Sequence, residues 1–263
     1  MNTPKISVLL SCFNDASYLN NSIPSILNQT FKEFEFIIIN DGSTDSTSDV
    51  INKYLKTDKR IRTINQDNIG LTKSLNKGIR IAKGKYVARI DADDISFKSR
   101  LQLQYNFLEK NKNIVLVGAQ RTVKDFRNGA NYREYHPLTA YEIRKTAIKS
   151  NPFFHSLVMY RKEIIEKIGL YDESFKYVQD YELWSRIIHE YETANLDEIL
   201  GVKTINSTAI SFRKDLRFER NLYSLKARYR NFERGNYSIS SIRHLALPFY
   251  RVLKAIPLYK NFQ

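Results

Sequence analysis

Hydrophobic positions along the first 120 residues alternate between two periods. Residues 5–13 form a near-continuous apolar run around Ile6, Val8, Leu9 and Leu10, the texture of a strand buried on both faces. Residues 18–30 then place Leu19, Ile23, Ile26 and Leu27 at helical spacing, and a second run, Phe36-Ile37-Ile38-Ile39, lies within residues 34–40. Val50, Ile51, Tyr54 and Leu55 suggest a second helix. A strand at 61–64, a helix at 71–82 and a fourth strand at 86–90 follow. Strands joined by helical crossovers pair in parallel, with helices covering both sheet faces. Ligands of such sheets bind beyond the carboxyl ends of the strands, which directs the search to the loops after Ser11, Asn40 and Ile90.

The pattern loosens further on. Residues 101–111 read as a helix and 114–118 as a strand, while the polar and aromatic stretch 121–137 reads as a mixed loop or hairpin. A strand is expected at 154–160, a short helix at 163–168 stopped by Gly169, and a longer helix at 180–191. No internal repeat or low-complexity linker interrupts the chain.

Composition narrows the class. With 263 residues, 42% hydrophobic and 27% charged, the chain can bury a large core and matches soluble globular proteins. No run of about 18 apolar residues predicts a spanning helix, and the start lacks a signal-peptide pattern, so a cytoplasmic location is expected. The single cysteine, Cys12, excludes an internal disulfide framework and a multi-thiolate metal site. The excess of 42 Lys+Arg over 28 Asp+Glu gives +14, which attracts polyanions. RNP-like and zinc-finger spacings are absent, so nucleic acid is not an expected partner. From 242 to 256, Ile242, Leu245, Ala246, Phe249, Leu253 and Ile256 keep helical spacing around Pro248, interleaved with Arg243, Arg251 and Lys254. Such a kinked basic amphipathic helix, with Tyr250 and Tyr259 at its polar boundary, suits an anionic membrane surface at the cytosolic face. The alternative is a tail packed on its own domain or on a second subunit; the oligomeric state is not readable from sequence.

Candidate chemistry gathers at strand ends. The run Tyr86-Val87-Ala88-Arg89-Ile90-Asp91-Ala92-Asp93-Asp94 ends in three carboxylates within four positions. Asp91 and Asp93 face one pocket if the extended path continues, and a divalent cation bound to substrate phosphates relieves their repulsion. The alternative is an acidic turn capping the next helix, a role left to Asp94. After the second strand comes Asn40-Asp41-Gly42-Ser43-Thr44-Asp45-Ser46-Thr47, where Gly42 permits a tight turn and Asp45 or Ser46 caps the following helix.

These elements, taken in order, resemble glycosyltransferase family 2. The resemblance is carried by Ile6-Ser7-Val8-Leu9-Leu10-Ser11-Cys12-Phe13-Asn14, the Asn40 to Asp45 loop, Asn68-Ile69-Gly70-Leu71, Leu75-Asn76-Lys77-Gly78-Ile79 and the Asp-X-Asp element Asp91-Ala92-Asp93. It continues through Asn151-Pro152-Phe153-Phe154-His155 and Gln179-Asp180-Tyr181-Glu182-Leu183-Trp184-Ser185-Arg186. The resemblance implies a GT-A fold: a Rossmann-like, mostly parallel α/β sheet flanked by helices. Its domain would span 1–212, with a nucleotide-binding half (1–120) and an acceptor-binding half (121–212), followed by a basic helical extension, 213–263.

It further implies a nucleotide-sugar donor whose base, most often uracil, meets Asp41 and a wall formed by Ser11, Cys12, Phe13 and Asn14. Asn68, Gly70, Lys73, Asn76 and Ala92 would shape the donor pocket. Asp91 and Asp93 would serve the ribose and a pyrophosphate-bound Mg2+ or Mn2+, with Asp93 the direct ligand. His155 would touch the diphosphate or complete the metal shell; packing within the fold is the alternative. Arg186 is a phosphate or acceptor contact or a solvated ion pair.

Asp180 would be the general base. Positions 180, 184, 187 and 191 share a helix face, so Asp180 lies on the side of Trp184, Ile187 and Tyr191. The competing role is a helix cap. Where the family commonly has Glu-Asp this chain has Gln179-Asp180, which removes one negative charge near the acceptor. The expected activity is a metal-dependent, inverting transfer from a UDP-sugar to a glycan or lipid-linked acceptor in cell-surface polysaccharide synthesis. The alternative is a catalytically silent nucleotide-sugar binding or scaffold protein.

Overall fold

The structure, a computed structural model, describes residues 3–205, 216–235, 237 and 239–254. The first half follows the predicted order: β1 (Ile6–Cys12), α1 (Ala16–Leu27), β2 (Phe34–Asp41), α2 (Thr47–Leu55), β3 (Ile61–Gln66), α3 (Leu71–Ile81) and β4 (Tyr86–Arg89). The strands lie parallel in the order β3-β2-β1-β4. Successive strand side chains point to opposite faces, and here both faces are buried. Ile6, Val8 and Leu10 pack with Leu19, Ile23 and Ile26 of α1 and Ile51 of α2, while Leu9, Ile37 and Ile39 pack with Leu75 and Ile79 of α3. That double burial is why these strands read as unbroken apolar runs.

The second half continues the sheet with mixed pairing. β5 (Asp94–Ser96) and α4 (Arg100–Lys110) lead to β6 (Ile114–Asp125), β7 (Ala130–Glu134) and α5 (Ala140–Ala147). Then come β8 (Met159–Arg161), α6 (Lys162–Lys167), α7 (Gln179–Glu190) and β9 (Glu192–Ile205). Antiparallel β8 joins β4 to β6, β9 runs parallel to β6, and β5 closes the far edge against β9. The stretch 121–137 contains a hairpin, with Arg121 opposite Glu134.

Several boundaries differ from expectation for identifiable reasons. β6 runs well past Gly118 because polar Gln120 is paired by β9, and Arg121 and Thr122 are paired on both sides, by β7 and β9, rather than forming a loop. The strand expected at 154–160 opens as a single 3-10 turn, His155–Leu157, after Pro152. α5, β5 and β9 carry mostly polar residues or are very short, and tertiary pairing sets them. Asp94 does not cap the following helix: it begins β5, and Ser99 occupies the N-cap of α4.

The C-terminal segment holds α8 (Arg217–Arg234) and α9 (Arg243–Lys254). α8 packs on α7: Ala227 and Asn231 are buried, and Asn231 donates to the Ala147 carbonyl at 2.9 Å. Glu182 of α7, 1% exposed, is held by Arg186 of its own helix at 2.9 Å and by Arg234 and Arg230 of α8 at 3.1 and 3.6 Å. α9 rests on α8 through Val252 and a bond from Asn221 to the Arg251 carbonyl. The expectations for the tail concern residues 242–256, and there α9 lies against α8 of its own chain. Phe249, Tyr250 and Leu253 of α9 stay exposed. The side chains of Ile242, Leu245 and Pro248, and residues Ile256 and Tyr259, lie outside the described residues. No helix among the described residues is long and apolar enough to cross a membrane.

Candidate active site

The loops after β1 and β2 are tied into one rim. Asn14, at φ 57° in the left-handed region that asparagine tolerates, accepts from the Thr44 and Asp45 amides at 2.8 and 3.3 Å. Its own amide donates to Ser43 Oγ at 3.0 Å. Gly42 has φ 78°, and a Cβ there would stand 2.6 Å from the Asn68 nitrogen, so the β2 loop and the 67–70 loop touch backbone to backbone. Asp41, 3% exposed, accepts from Gln66 Nε2 and the Ile69 amide at 2.8 and 3.0 Å and from the Gly70 amide at 2.8 Å. Its carboxylate thereby fixes the start of α3 beside the strand ends. Cys12 is buried, and burial together with Asp15, Asp45 and Asp41 pushes its thiol up to about 12, keeping it protonated. Phe13, nearly half exposed, projects from this rim.

Beyond β4 lies the acidic cluster. Arg89, 1% exposed, donates from Nη2 to Asp91 at 2.5 Å, while its Nε and Nη1 have no hydrogen-bond partner among the described residues. Arg100 braces the backbone beneath, donating to the Arg89 and Val158 carbonyls at 2.6 and 3.2 Å. Burial, the largest single influence, would raise the Asp91 carboxyl; the Arg89 charge and hydrogen bond, with His155 and Lys203, together outweigh it and hold the group well below the usual carboxylate range. Burial first, and then the Asp94 and Asp91 charges, push Asp93 up. Asp94 is buried, accepts from Ser156 Oγ through Oδ2 and leaves Oδ1 unpaired.

A cleft of about 560 Å³ opens from Asp91 across the second half. His155, Asn151 and Asp180 line it beside Asp91, and Arg121, Glu134, Tyr135, His136 and Lys203 form the opposite wall. Asp180 sits in the first turn of α7 rather than at its cap; Val178, at φ 52°, occupies that position. Asn151 Nδ2 donates to Asp180 Oδ2 at 2.7 Å, and Trp184 and Ile187 on the same helix face are fully buried. His155 Nε2 lies 2.8 Å from Tyr171 Oη. Burial, then Arg89, lowers its imidazole to about 4, so the ring is neutral near pH 7.

The expected site residues thus divide. Asp91, His155 and Asp180 share the cleft, and Ser11 to Asn14, Asp41, Asn68 and Gly70 build the rim beyond β1 and β2, where the nucleotide was expected. Lys73 is exposed on α3. Asn76 is buried and turned toward the segment after α6, bonding the Tyr171 carbonyl, the Tyr171 amide and Glu173. Arg186 lies in a separate pocket with Asn76, where it binds Glu182 and the Ile168 and Leu170 carbonyls. Gln179 is buried at the first position of α7, one residue from Asp180. The sequence reading assigned no role to Asn151, Arg89, Arg121, Glu134 or Lys203. Asn151 and Arg89 stand inside motifs already singled out, whereas Lys203 depends on β9, which carries no clear periodic signal.

The donor set fits a hard divalent cation. Asp93 forms no ion pair among the described residues, Asp94 Oδ1 is an orphaned buried acceptor, and the neutral His155 lies nearby in the same cleft as Asp91. No group of three His, Cys, Asp or Glu side chains among the described residues stands preassembled as a cage. One or two carboxylates completed by substrate phosphates are the usual surroundings of Mg2+.

Comparison with known proteins places the chain in a family and a fold. Residues 7–169 match the sequence model of glycosyl transferase family 2. An uncharacterized glycosyltransferase of Methanocaldococcus jannaschii is 37% identical over 206 residues, covering 76% of this chain and 70% of that protein. One of Haemophilus influenzae is 33% identical, covering 76% of this chain and 65% of that protein, so the chain spans just under two thirds of that relative. Among solved structures, S. aureus TarS 1-349 in complex with UDP superposes with a TM-score of 0.68 at 18% identity, over 98% of this chain and 72% of that one. The mannosyltransferase PcManGT of Pyrobaculum calidifontis, in complex with GDP-Man and Mn2+, gives 0.70 at 15% identity, over 97% and 74%. These likenesses establish the GT-A fold.

Proposed function

The chain belongs to glycosyltransferase family 2, and on that premise we propose that it transfers a sugar from a nucleotide-sugar, a UDP-sugar, to a glycan hydroxyl with inversion. The observation that carries this reading is Asp180, oriented by Asn151 in the cleft that Asp91 also lines. An acceptor hydroxyl beside Asp180 gives up its proton to the carboxylate as its oxygen attacks the anomeric carbon. The bond from that carbon to the diphosphate oxygen breaks on the opposite side, its electron pair leaves with the nucleoside diphosphate, and one displacement inverts the centre. Asp93, with Asp91 and His155 near it, would hold Mg2+ or Mn2+, which when bound offsets the charge of the departing diphosphate. Asp41 and the 11–14 rim would seat the base and ribose.

Structures of TarS with UDP and of PcManGT with GDP-Man and Mn2+ support a nucleotide donor and a divalent ion. A role in cell-surface polysaccharide synthesis fits a glycan acceptor, and α9 offers exposed Phe249, Tyr250 and Leu253 beside Arg251 and Lys254 for peripheral contact with an anionic cytosolic membrane face. The test is calorimetric titration of UDP-, GDP- and dTDP-sugars with and without Mn2+. One donor should bind, more tightly with the ion; binding by none would refute the reading.

A further inference from the structure

Resting on that transferase reading, we propose that the acceptor is a glycan of several sugar rings, seated by ring stacking on Tyr135 and Tyr132 of the β6–β7 hairpin. The hairpin forms one wall of the cleft. Arg121 and Glu134 are direct cross-strand partners, bonded at 2.6 Å, and both line the cleft with Tyr135. Strand side chains alternate, so Tyr132 shares the face of Glu134, two residues away. Tyr135 is 57% exposed and Tyr132 44%, and neither ring stacks on another ring among the described residues.

The register shows how far this wall reaches from the chemistry. Asp94 pairs with Lys203, Lys203 with Val123, and Val123 with Tyr132. These four therefore form one cross-strand row on one face, with the fully buried Val123 in its floor. Three inter-strand steps make the row about 14 Å long, longer than one pyranose ring. The nucleotide-side loops follow β1 and β2, on the other side of β4, so these tyrosines stand away from the base and toward the acceptor end.

The chemistry of the wall suits a sugar chain. A pyranose presents an apolar C–H face that packs on an aromatic ring, and a tyrosine hydroxyl supplies a polar partner at its edge. Arg121, Glu134 and Lys203 between the tyrosines and the acidic cluster offer charged hydrogen-bonding groups to hydroxyls and break up the continuous apolar surface that an acyl chain needs. β7 pairs only with β6 in the described sheet. Exposed aromatic rings on such an edge are an association hazard unless a ligand uses them.

Saturation-transfer NMR on the full chain in the presence of UDP tests the proposal, with glucose, cellobiose, cellotetraose and chitotetraose as probes. At least one tetrasaccharide should receive several-fold more saturation than glucose. The Tyr132→Ala/Tyr135→Ala double variant should lose that gain, and Tyr132→Phe/Tyr135→Phe should keep most of it. Equal transfer to glucose and the tetrasaccharides, an unchanged signal in the alanine variant, or no transfer to any probe would overturn the proposal. Stabilisation of the same samples by UDP reports separately on the transferase reading: its persistence without oligosaccharide binding defeats this inference alone, and its absence defeats the reading beneath it.

Discussion

Asp180 and Asn151 meet across 29 positions of sequence at 2.7 Å, and Asp91 meets Arg89 at 2.5 Å. Each pairing gives a carboxylate near the cleft a defined direction. The acids were legible because their spacing follows strand ends and a helix face. Their partners were not, because an isolated Asn or Arg carries no periodic signal, and the fold alone determines whom it meets. His136 shows a second effect at this scale. It lines the cleft with its ring centroid 3.9 Å from that of Phe154, and burial, then Arg121, lowers its imidazole from 6.5 to about 4. The unfolded chain binds this proton more readily, so its stabilising contribution is present above pH 6.5 and is lost as pH falls toward 4. Urea denaturation at pH 7 and pH 4.5 should show a smaller loss of stability in His136→Asn than in wild type; an equal loss in both would contradict the assignment.

Elements of the first half were legible to within about three residues at their ends, since strands buried on both faces and amphipathic helices print strong and different periods. β5, β7 and β9 were not, because their residues answer to neighbouring strands: Lys203 faces Asp94 by register, with no local pattern to announce it. α7 joins the two kinds of element. Its first turn presents Asp180, while Glu182, on the side toward α8, meets Arg230 and Arg234, so α8 buttresses the helix that carries the proposed base. In α9, Val252 is buried while Phe249, Tyr250 and Leu253 are exposed near Arg251 and Lys254. If α9 lies on anionic lipid, removing residues 242–263 should abolish flotation with phosphatidylserine vesicles, and flotation of the full chain should weaken as salt rises. Unchanged flotation after the deletion would remove α9 from that role.

Across the whole molecule, the sheet separates two tasks. Parallel β1, β2 and β4 end in the nucleotide-side rim and the acidic cluster, while β6, β7 and β9 enclose the cleft with Asp180 of α7. The acidic cluster lies at the junction, where on the proposed mechanism a leaving diphosphate and an incoming hydroxyl would approach one carbon from opposite sides. This division explains why the family was readable from ordered motifs but the cleft wall was not: the motifs sit at the ends of predictable strands, and the wall is built from polar strands assembled by long-range pairing. The proposed role of Asp180 is to remove the acceptor proton. Its most direct measurement is nucleoside-diphosphate release from the bound nucleotide-sugar by wild type and Asp180→Asn, with donor affinity measured on the same samples. The account predicts unchanged donor affinity and release slowed by about 10²-fold or more; release at the wild-type rate would contradict it.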